Sequence, residues 1–319
     1  MQTARVKIVD ATLREGNQAI GVKFTVDQSL QIAAALDRLG VDMIEIGHPL
    51  AGPNEHQRTK AVAEAGLSAE IIAHARALPA DVKAVADAGA SWVGIFLGVN
   101  SITSTARVVG RGFPELIAIM RDAIHAAKDC GLKVRYSCED ASRTEDGFLL
   151  DAFSAAVDAG ADRICFADTV GHLEPAEVAA QVTKMLKAFP TVETEVHLHD
   201  DRGLAMASSI AAIDAGVHSV STSVNGLGER CGITELCSLL VNLGFRKYKD
   251  LPSIEQLRAL SDLVGEYSGC SVDSMRPIVG RNAFAHGSKL HIRASSYDPK
   301  AYDWIASFVH SQSKHSGTQ

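Results

Sequence analysis

Six alanine-rich stretches of the chain close on a glycine and pass, after a short linker, into a block of apolar and β-branched residues. They read AALDRLGVDMIEI from Ala34, AVAEAGLSAEIIA from Ala61, AVADAGASWVGIF from Ala84, AAKDCGLKVRYSC from Ala126, AAVDAGADRICFA from Ala155 and AAIDAGVHSVSTS from Ala211. The glycine marks a helix end, because the residue just past the last turn commonly takes the left-handed conformation that only glycine adopts cheaply. The blocks that follow are apolar on both faces, as parallel strands sandwiched between helices must be. Two further strands fit the series: ARVKIVD at the start, and VETEVHLHD after a helix that ends at Phe189-Pro190. The eight predicted strands centre near Ile8, Ile44, Ile71, Ile95, Val134, Ile164, Val196 and Val220, with helical segments between every pair.

Eight β/α units over residues 1–245 predict an α/β fold of the TIM (β/α)8 barrel type. A doubly wound open sheet is the alternative, and no glycine-rich phosphate loop follows the first strand to favour it. Past Gly244 the pattern changes. SIEQLRALSDLVGEYSG predicts one more amphipathic helix, and the stretch from Arg276 to Val309 an irregular loop and a last helix. Residues 246–310 are therefore expected to form a short C-terminal helical appendage near the barrel mouth of this chain or of a neighbouring subunit, with a disordered tail over 311–319.

Composition narrows the classes of function. The 319 residues are 46% hydrophobic and 22% charged, ordinary values for a soluble globular protein. The formal charge of −7 is spread along the chain, which favours solubility. No basic arm or Lys/Arg-rich run points to a nucleic-acid partner, and no apolar run reaches membrane-spanning length. The opening MQTARVKIVD enters a strand at once and leaves no room for a signal peptide. The six cysteines contain no C-x-x-C pair, and reduced thiols in a cytoplasmic protein are expected.

Polar residues gather where the strands end. The first ends in Asp10 and turns into ATLREGNQ; the second carries Glu45, the third His74 and Arg76, the fifth Glu139, the sixth Asp168 and Thr169, the seventh His197 and His199, the eighth Asn225. Barrel active sites collect at these ends. In EVHLHDD, strand alternation sends His197 and His199 to one face. Two imidazoles and a carboxylate suit Zn, Mn, Fe or Co with positions left for substrate. Glu15, in the loop after the first strand, is the expected carboxylate, since the first and seventh strand ends come together across the mouth. Asn225 is a candidate fourth oxygen donor. Arg14 adds fixed donors beside that centre, suited to an oxygen on which negative charge develops.

DATLREGNQ, HLHDD and NGLGERCGITEL together resemble the acyl-CoA/2-oxo acid Claisen-condensing synthases, the group of 2-isopropylmalate, homocitrate and citramalate synthases, on the branch of metal-dependent barrels shared with 3-hydroxy-3-methylglutaryl-CoA lyase. RYSCEDASR around Glu139, AHAR around His74 and NAFAHGSKLH…DPKAY are most similar to homocitrate synthases. The resemblance runs from Val9 to about Tyr302. It implies metal ligands Glu15, His197 and His199, with Arg14 on the keto oxygen and Gln18, Glu45, His74 and Thr169 against the 2-oxo acid. It further implies that Glu139, His291 and Tyr302 assist deprotonation of the acyl-CoA methyl, the last two reaching the active site of a partner in a homodimer. A divalent metal (Mn, Mg, Zn or Co) and acetyl-CoA as co-substrate follow from the same likeness.

Three departures stand out. The usual H-x-H-N-D reads HLHDD, placing Asp200 where an amide is normal. Ser104 falls where homocitrate synthases carry a carboxylate-binding arginine, with Arg107 and Arg111 the nearest replacements. The chain also stops soon after Tyr302. The acceptor stays open among glyoxylate, pyruvate, oxaloacetate, 2-oxoglutarate and a phosphonate-bearing keto acid. A lyase or aldolase running carbon–carbon cleavage is the first rival: the family's lyases carry a cysteine in the glycine-rich loop after the eighth strand, and Cys231 is near it. A non-haem iron oxygenase shares the ligand set but normally sits on other folds. An inactive binding protein is disfavoured by the intact Arg14, Glu15, His197 and His199.

Overall fold

The structure, a computed structural model, describes residues 5–102, 110–246, 251–306 and 308. Ser104, Arg107 and the tail over 311–319 lie outside them. Every predicted strand forms: β1 (Lys7–Asp10), β2 (Met43–Ile46), β3 (Glu70–Arg76), β4 (Trp92–Phe96), β5 (Lys133–Cys138), β6 (Arg163–Asp168), β7 (Glu193–Leu198) and β8 (Ser219–Thr222). Each is parallel to the next, and β8 closes on β1 with Lys7 opposite Ser219 and Asp10 opposite Thr222, so the sheet is a closed eight-stranded TIM barrel. The intervening helices are α1 (Val26–Leu39), α2 (Pro53–Ala63), α3 (Pro79–Asp87), α4 (Phe113–Asp129), α5 (Asp146–Asp158), α6 (Pro175–Ala188) and α7 (Ala205–Asp214), and α8 (Leu236–Phe245) follows β8.

Helix α1 shows how the repeat works. Thr25 and Gln28 form a reciprocal capping box at its start, satisfying two otherwise orphaned N–H groups. Ser29, Ile32, Ala33 and Leu36 make the buried face. Gly40 then stops the helix at φ 81°, and the glycines closing the other five repeats share that hand, with φ from 67° to 105°.

The main core lies between strands and helices. Inside the barrel, Val9, Met43, Ile72 and Trp92 form a separate apolar cluster. Beside it the interior is charged, because Glu45, Arg135, Arg163 and Glu195 are each at most 2% exposed. Space for this is made at Gly94, where a Cβ would lie 2.7 Å from Arg135 Nη2. Gly94→Ala is therefore expected to displace the guanidinium and cost about 1–3 kcal/mol of stability, read as a lower urea midpoint at unchanged slope. A midpoint equal to wild type would show that the barrel interior yields freely.

The helix predicted over 253–269 is α9 (Ile254–Ser268), capped by Ser253 and packed on α1 and on the turn Val224–Gly226 through Ile254, Leu257, Leu260 and Val264. Beyond it, α10 (Lys289–Tyr297) buries none of its residues. No helix among the described residues is long and apolar enough to cross a membrane.

Candidate active site

A cavity of about 690 Å³ opens at the C-terminal ends of the strands, where the sequence gathers its polar residues. Arg14, Glu15, Gln18, His74, Arg76, Glu139, Thr169, His197 and His199 all line it. His197 ends an inward run on β7, and His199 follows one step past the strand, bridged to Ile233. Glu15 stands at the head of a short 3-10 turn, anchored by Glu15 N donating to Ala11 O at 2.7 Å. The loop after β8 presses against it from above. Glu229 N donates to Glu15 Oε1 at 3.0 Å, and a Cβ on Gly228 would lie 2.9 Å from Glu15 Cγ. Only a glycine admits that approach.

The three predicted ligands come together. His197 Nε2 is 3.7 Å from Glu15 Oε2 and His199 Nε2 is 4.0 Å from Glu15 Oε1, with one donor atom of each residue within 4.8 Å of the others. These separations are too long for hydrogen bonds and suit donors arranged about one cation. His197 Nδ1 meets Ser221 Oγ at 2.9 Å, an orienting contact typical of a ligating imidazole that leaves Nε2 for the ion. Burial, reinforced by Arg14, pushes His197 down to about 3, and burial also lowers His199, so both rings are neutral near pH 7. Burial alone would raise the Glu15 carboxyl, but Arg14 and the two imidazoles outweigh it and hold it at about 2. Two neutral nitrogens and a carboxylate fit a divalent ion.

Arg14 is clamped from two sides. One terminal nitrogen engages Glu15, the other donates to Glu45 Oε2 at 3.0 Å, and its buried Nε has no partner among the described residues. Burial would raise Glu45 too, but Arg135 and Arg14 hold its carboxyl well below the usual range. On the opposite wall, His74 stacks on Phe96 at 4.5 Å and its Nδ1 lies 3.2 Å from His48 Nε2. Arg76 is held by Asp81 through bonds of 2.8 and 2.9 Å. Thr169 Oγ1 accepts from Asp140 N at 2.8 Å, which fixes the loop that follows Glu139.

A family model described as HMGL-like matches residues 5–264. The chain belongs to the HMGL-like family. Within it, the chain is 41% identical over 306 residues to a homocitrate synthase of Pyrococcus abyssi, covering 95% of this chain and 83% of that one. It is 37% identical over 305 residues to a homocitrate synthase of Saccharolobus solfataricus, where it covers 94% of this chain but spans only 66% of the relative's length. Among solved structures, a Bacillus subtilis HMG-CoA lyase superposes with a TM-score of 0.74 at 20% identity, over 89% of this chain and 98% of that one. The carboxyl transferase domain of Rhizobium etli pyruvate carboxylase gives 0.68 at 18% identity, over 85% and 50%. These two likenesses concern the barrel fold alone.

On this HMGL-like barrel several candidates stand elsewhere than the sequence suggests. Glu45 is fully buried behind the wall, both its oxygens taken by Arg14 and Arg135. Asn225 has a left-handed backbone (φ 59°), and its amide is bonded to α9, where Nδ2 donates to Ser261 O at 2.9 Å and Oδ1 accepts from Ser261 Oγ at 2.5 Å. It ties the appendage to the barrel. His291 and Tyr302 stack on each other at 4.1 Å in the appendage and do not line this chain's cavity. Cys231 is exposed and lines a smaller cavity of about 350 Å³. Asp200 accepts from Ala205 N at 2.8 Å and so secures the start of α7. His48, Arg135 and Ser221 were not singled out from sequence; strand alternation in KVRYSC and SVSTS is the signal that points the last two inward.

Asp10 titrates out of place. Burial drives its carboxyl up to about 7 against the bond from Thr12 N, and its Oδ2 has no partner among the described residues. A carboxyl raised in the folded state binds its proton there more tightly than in the unfolded chain, so its contribution is present at acid pH and lost as pH rises from about 4 to 7. Relative to wild type, Asp10→Asn should therefore gain stability across that window, by up to about 1.4 kcal/mol per pH unit. Urea midpoints of both proteins at pH 5 and 8 measure the difference; a gap independent of pH would mean that Asp10 is ionised throughout.

Proposed function

We propose that this protein condenses acetyl-CoA, or a related acyl-CoA, with a 2-oxo acid and hydrolyses the resulting thioester, releasing CoA and a 2-hydroxy-2-carboxymethyl acid. The observation that carries the reading is the doubly clamped Arg14 beside the Glu15–His197–His199 donor set in one cavity. The homocitrate synthase relatives, metal-dependent by resemblance, support the same chemistry. A divalent ion bound by the three donors supplies Lewis-acid polarisation of the 2-oxo acid.

The protein's own groups do the rest. Arg14, fixed by two carboxylates, presents donors to the keto oxygen and stabilises it as it becomes an alkoxide. Glu139 on the cavity wall takes part in removing the acyl methyl proton, and the enolate so formed attacks the keto carbon. His74 and Thr169 orient the acid from the facing walls, and Gln18 sits at the rim. Water then cleaves the thioester, which makes the condensation effectively irreversible. His291 and Tyr302 serve a second copy of the chain in this reading, which the exposure of Leu290 (78%) and Tyr297 (94%) on α10 supports. Cys231, on which the lyase reading leans, lines the smaller neighbouring cavity and not the one that holds Arg14 and Glu15. Mass detection of the condensed acid after incubation with acetyl-CoA, divalent ion and a panel of 2-oxo acids tests the proposal. Absence of any product mass, with turnover of a 3-hydroxyacyl-CoA in its place, would overturn it.

A further inference from the structure

The charged interior of the barrel is one continuous ladder. From the cavity downward, Arg14 donates to Glu45 Oε2 (3.0 Å), and Arg135 donates to Glu45 Oε1 (2.5 Å) and to Glu195 Oε1 (3.0 Å). Arg163 then donates to Glu195 Oε2 (3.0 Å) and to Glu193 Oε2 (2.6 Å), and Lys7 closes on the other Glu193 oxygen. Glu15 tops the series and Lys7 ends it in partial solvent, its side chain 40% exposed. Four carboxylates alternate with four cations. Glu45 and Glu195 each divide their two oxygens between two arginines.

Such an arrangement is coupled. An ion that loses its partner in a dry interior must find another, because a bare buried charge costs several kcal/mol. Arg135 Nε has no partner among the described residues, and the space for its guanidinium is set by Gly94. Without Glu195, the carboxylate that stays paired with Arg135 among the described residues is Glu45, and an arginine fork faced with one carboxylate takes both oxygens. The second of those oxygens is the one that holds Arg14.

We propose that Glu195, fully buried and outside the cavity lining, is a positioning residue for Arg14, acting through Arg135 and Glu45. Its carboxylate occupies one arm of Arg135 so that Glu45 keeps one oxygen for Arg14. The catalytic part of this inference rests on the role given to Arg14 above; the geometric part does not.

The test uses the paired variant Glu195→Gln/Arg163→Met, which removes one negative and one positive charge and keeps the ladder neutral. With 15N-labelled arginine and Arg14→Lys to assign its signal, the Arg14 side-chain Nε–H resonance is expected to shift and exchange faster in the paired variant. In parallel kcat should fall about a hundredfold, with KM for the 2-oxo acid and divalent-ion affinity within about threefold of wild type. An unmoved Arg14 resonance overturns the proposal, whatever the activity. A moved resonance in the paired variant, where the wild-type protein itself shows no condensing activity, sustains the ladder and overturns the function instead. A moved resonance with wild-type kcat overturns the positioning role. Should the paired variant not fold, Glu195→Asp keeps the charge and shortens the reach. It should shift the same resonance by less and lower kcat by less; a resonance at the wild-type position overturns the proposal there too.

Discussion

Replacing Arg14 by lysine is expected to lower kcat by about 10² to 10³ while the protein still binds one divalent ion. The magnitude is that of removing one preorganised donor from developing negative charge. Lysine keeps the charge, so Glu15 and Glu45 are not left as bare buried anions, a defect that Arg14→Ala would add to the catalytic one. What lysine loses is the planar fork that spans both carboxylates and carries a further donor at Nε. Steady-state thiol release and metal analysis on the same preparation separate the two functions. Near wild-type kcat in Arg14→Lys would remove the assigned role.

His199→Ala should lose the ion and turnover together. Three donors fall to two, and the remaining pair, Glu15 and His197, cannot define the face that holds a divalent cation. Affinity is expected to drop by more than the 10- to 100-fold typical of a lost orienting contact, which is the effect foreseen for Ser221→Ala through its bond to His197. Equilibrium dialysis against Mn and Zn reads both. Full retention of the ion by His199→Ala at wild-type affinity would mean that His199 is no ligand.

The barrel was legible because its strands are buried on both faces and its helices stop at glycine, two signals that need no tertiary knowledge. The grouping of Glu15, His197 and His199 was legible for a related reason: two histidines at strand spacing announce a shared side, and the Arg14–Glu15 turn leaves directly from a core strand. What stayed hidden depends on the barrel's inside. Arg135 and Glu195 sit mid-strand and Arg163 opens its strand, where attention to the C-terminal strand ends passes over them, although in VETEVHLHD the residues Glu193, Glu195, His197 and His199 share one parity. Glu45 was readable as a polar strand-end residue, but not as one whose two oxygens are taken by arginines from two other segments. The Asn225 amide is engaged by a distant hydroxyl on α9 from a left-handed backbone, neither of which its place in NGLGERCG discloses.

The most direct measurement is CoA-thiol release from acetyl-CoA in the presence of a divalent ion, run against glyoxylate, pyruvate, oxaloacetate, 2-oxoglutarate and a phosphonate-bearing keto acid. Release is expected with at least one of these acids, with none in the absence of an acid and none after chelation of the ion. Thiol release that ignores the acid, or silence across the panel together with cleavage of a 3-hydroxyacyl-CoA, would contradict it.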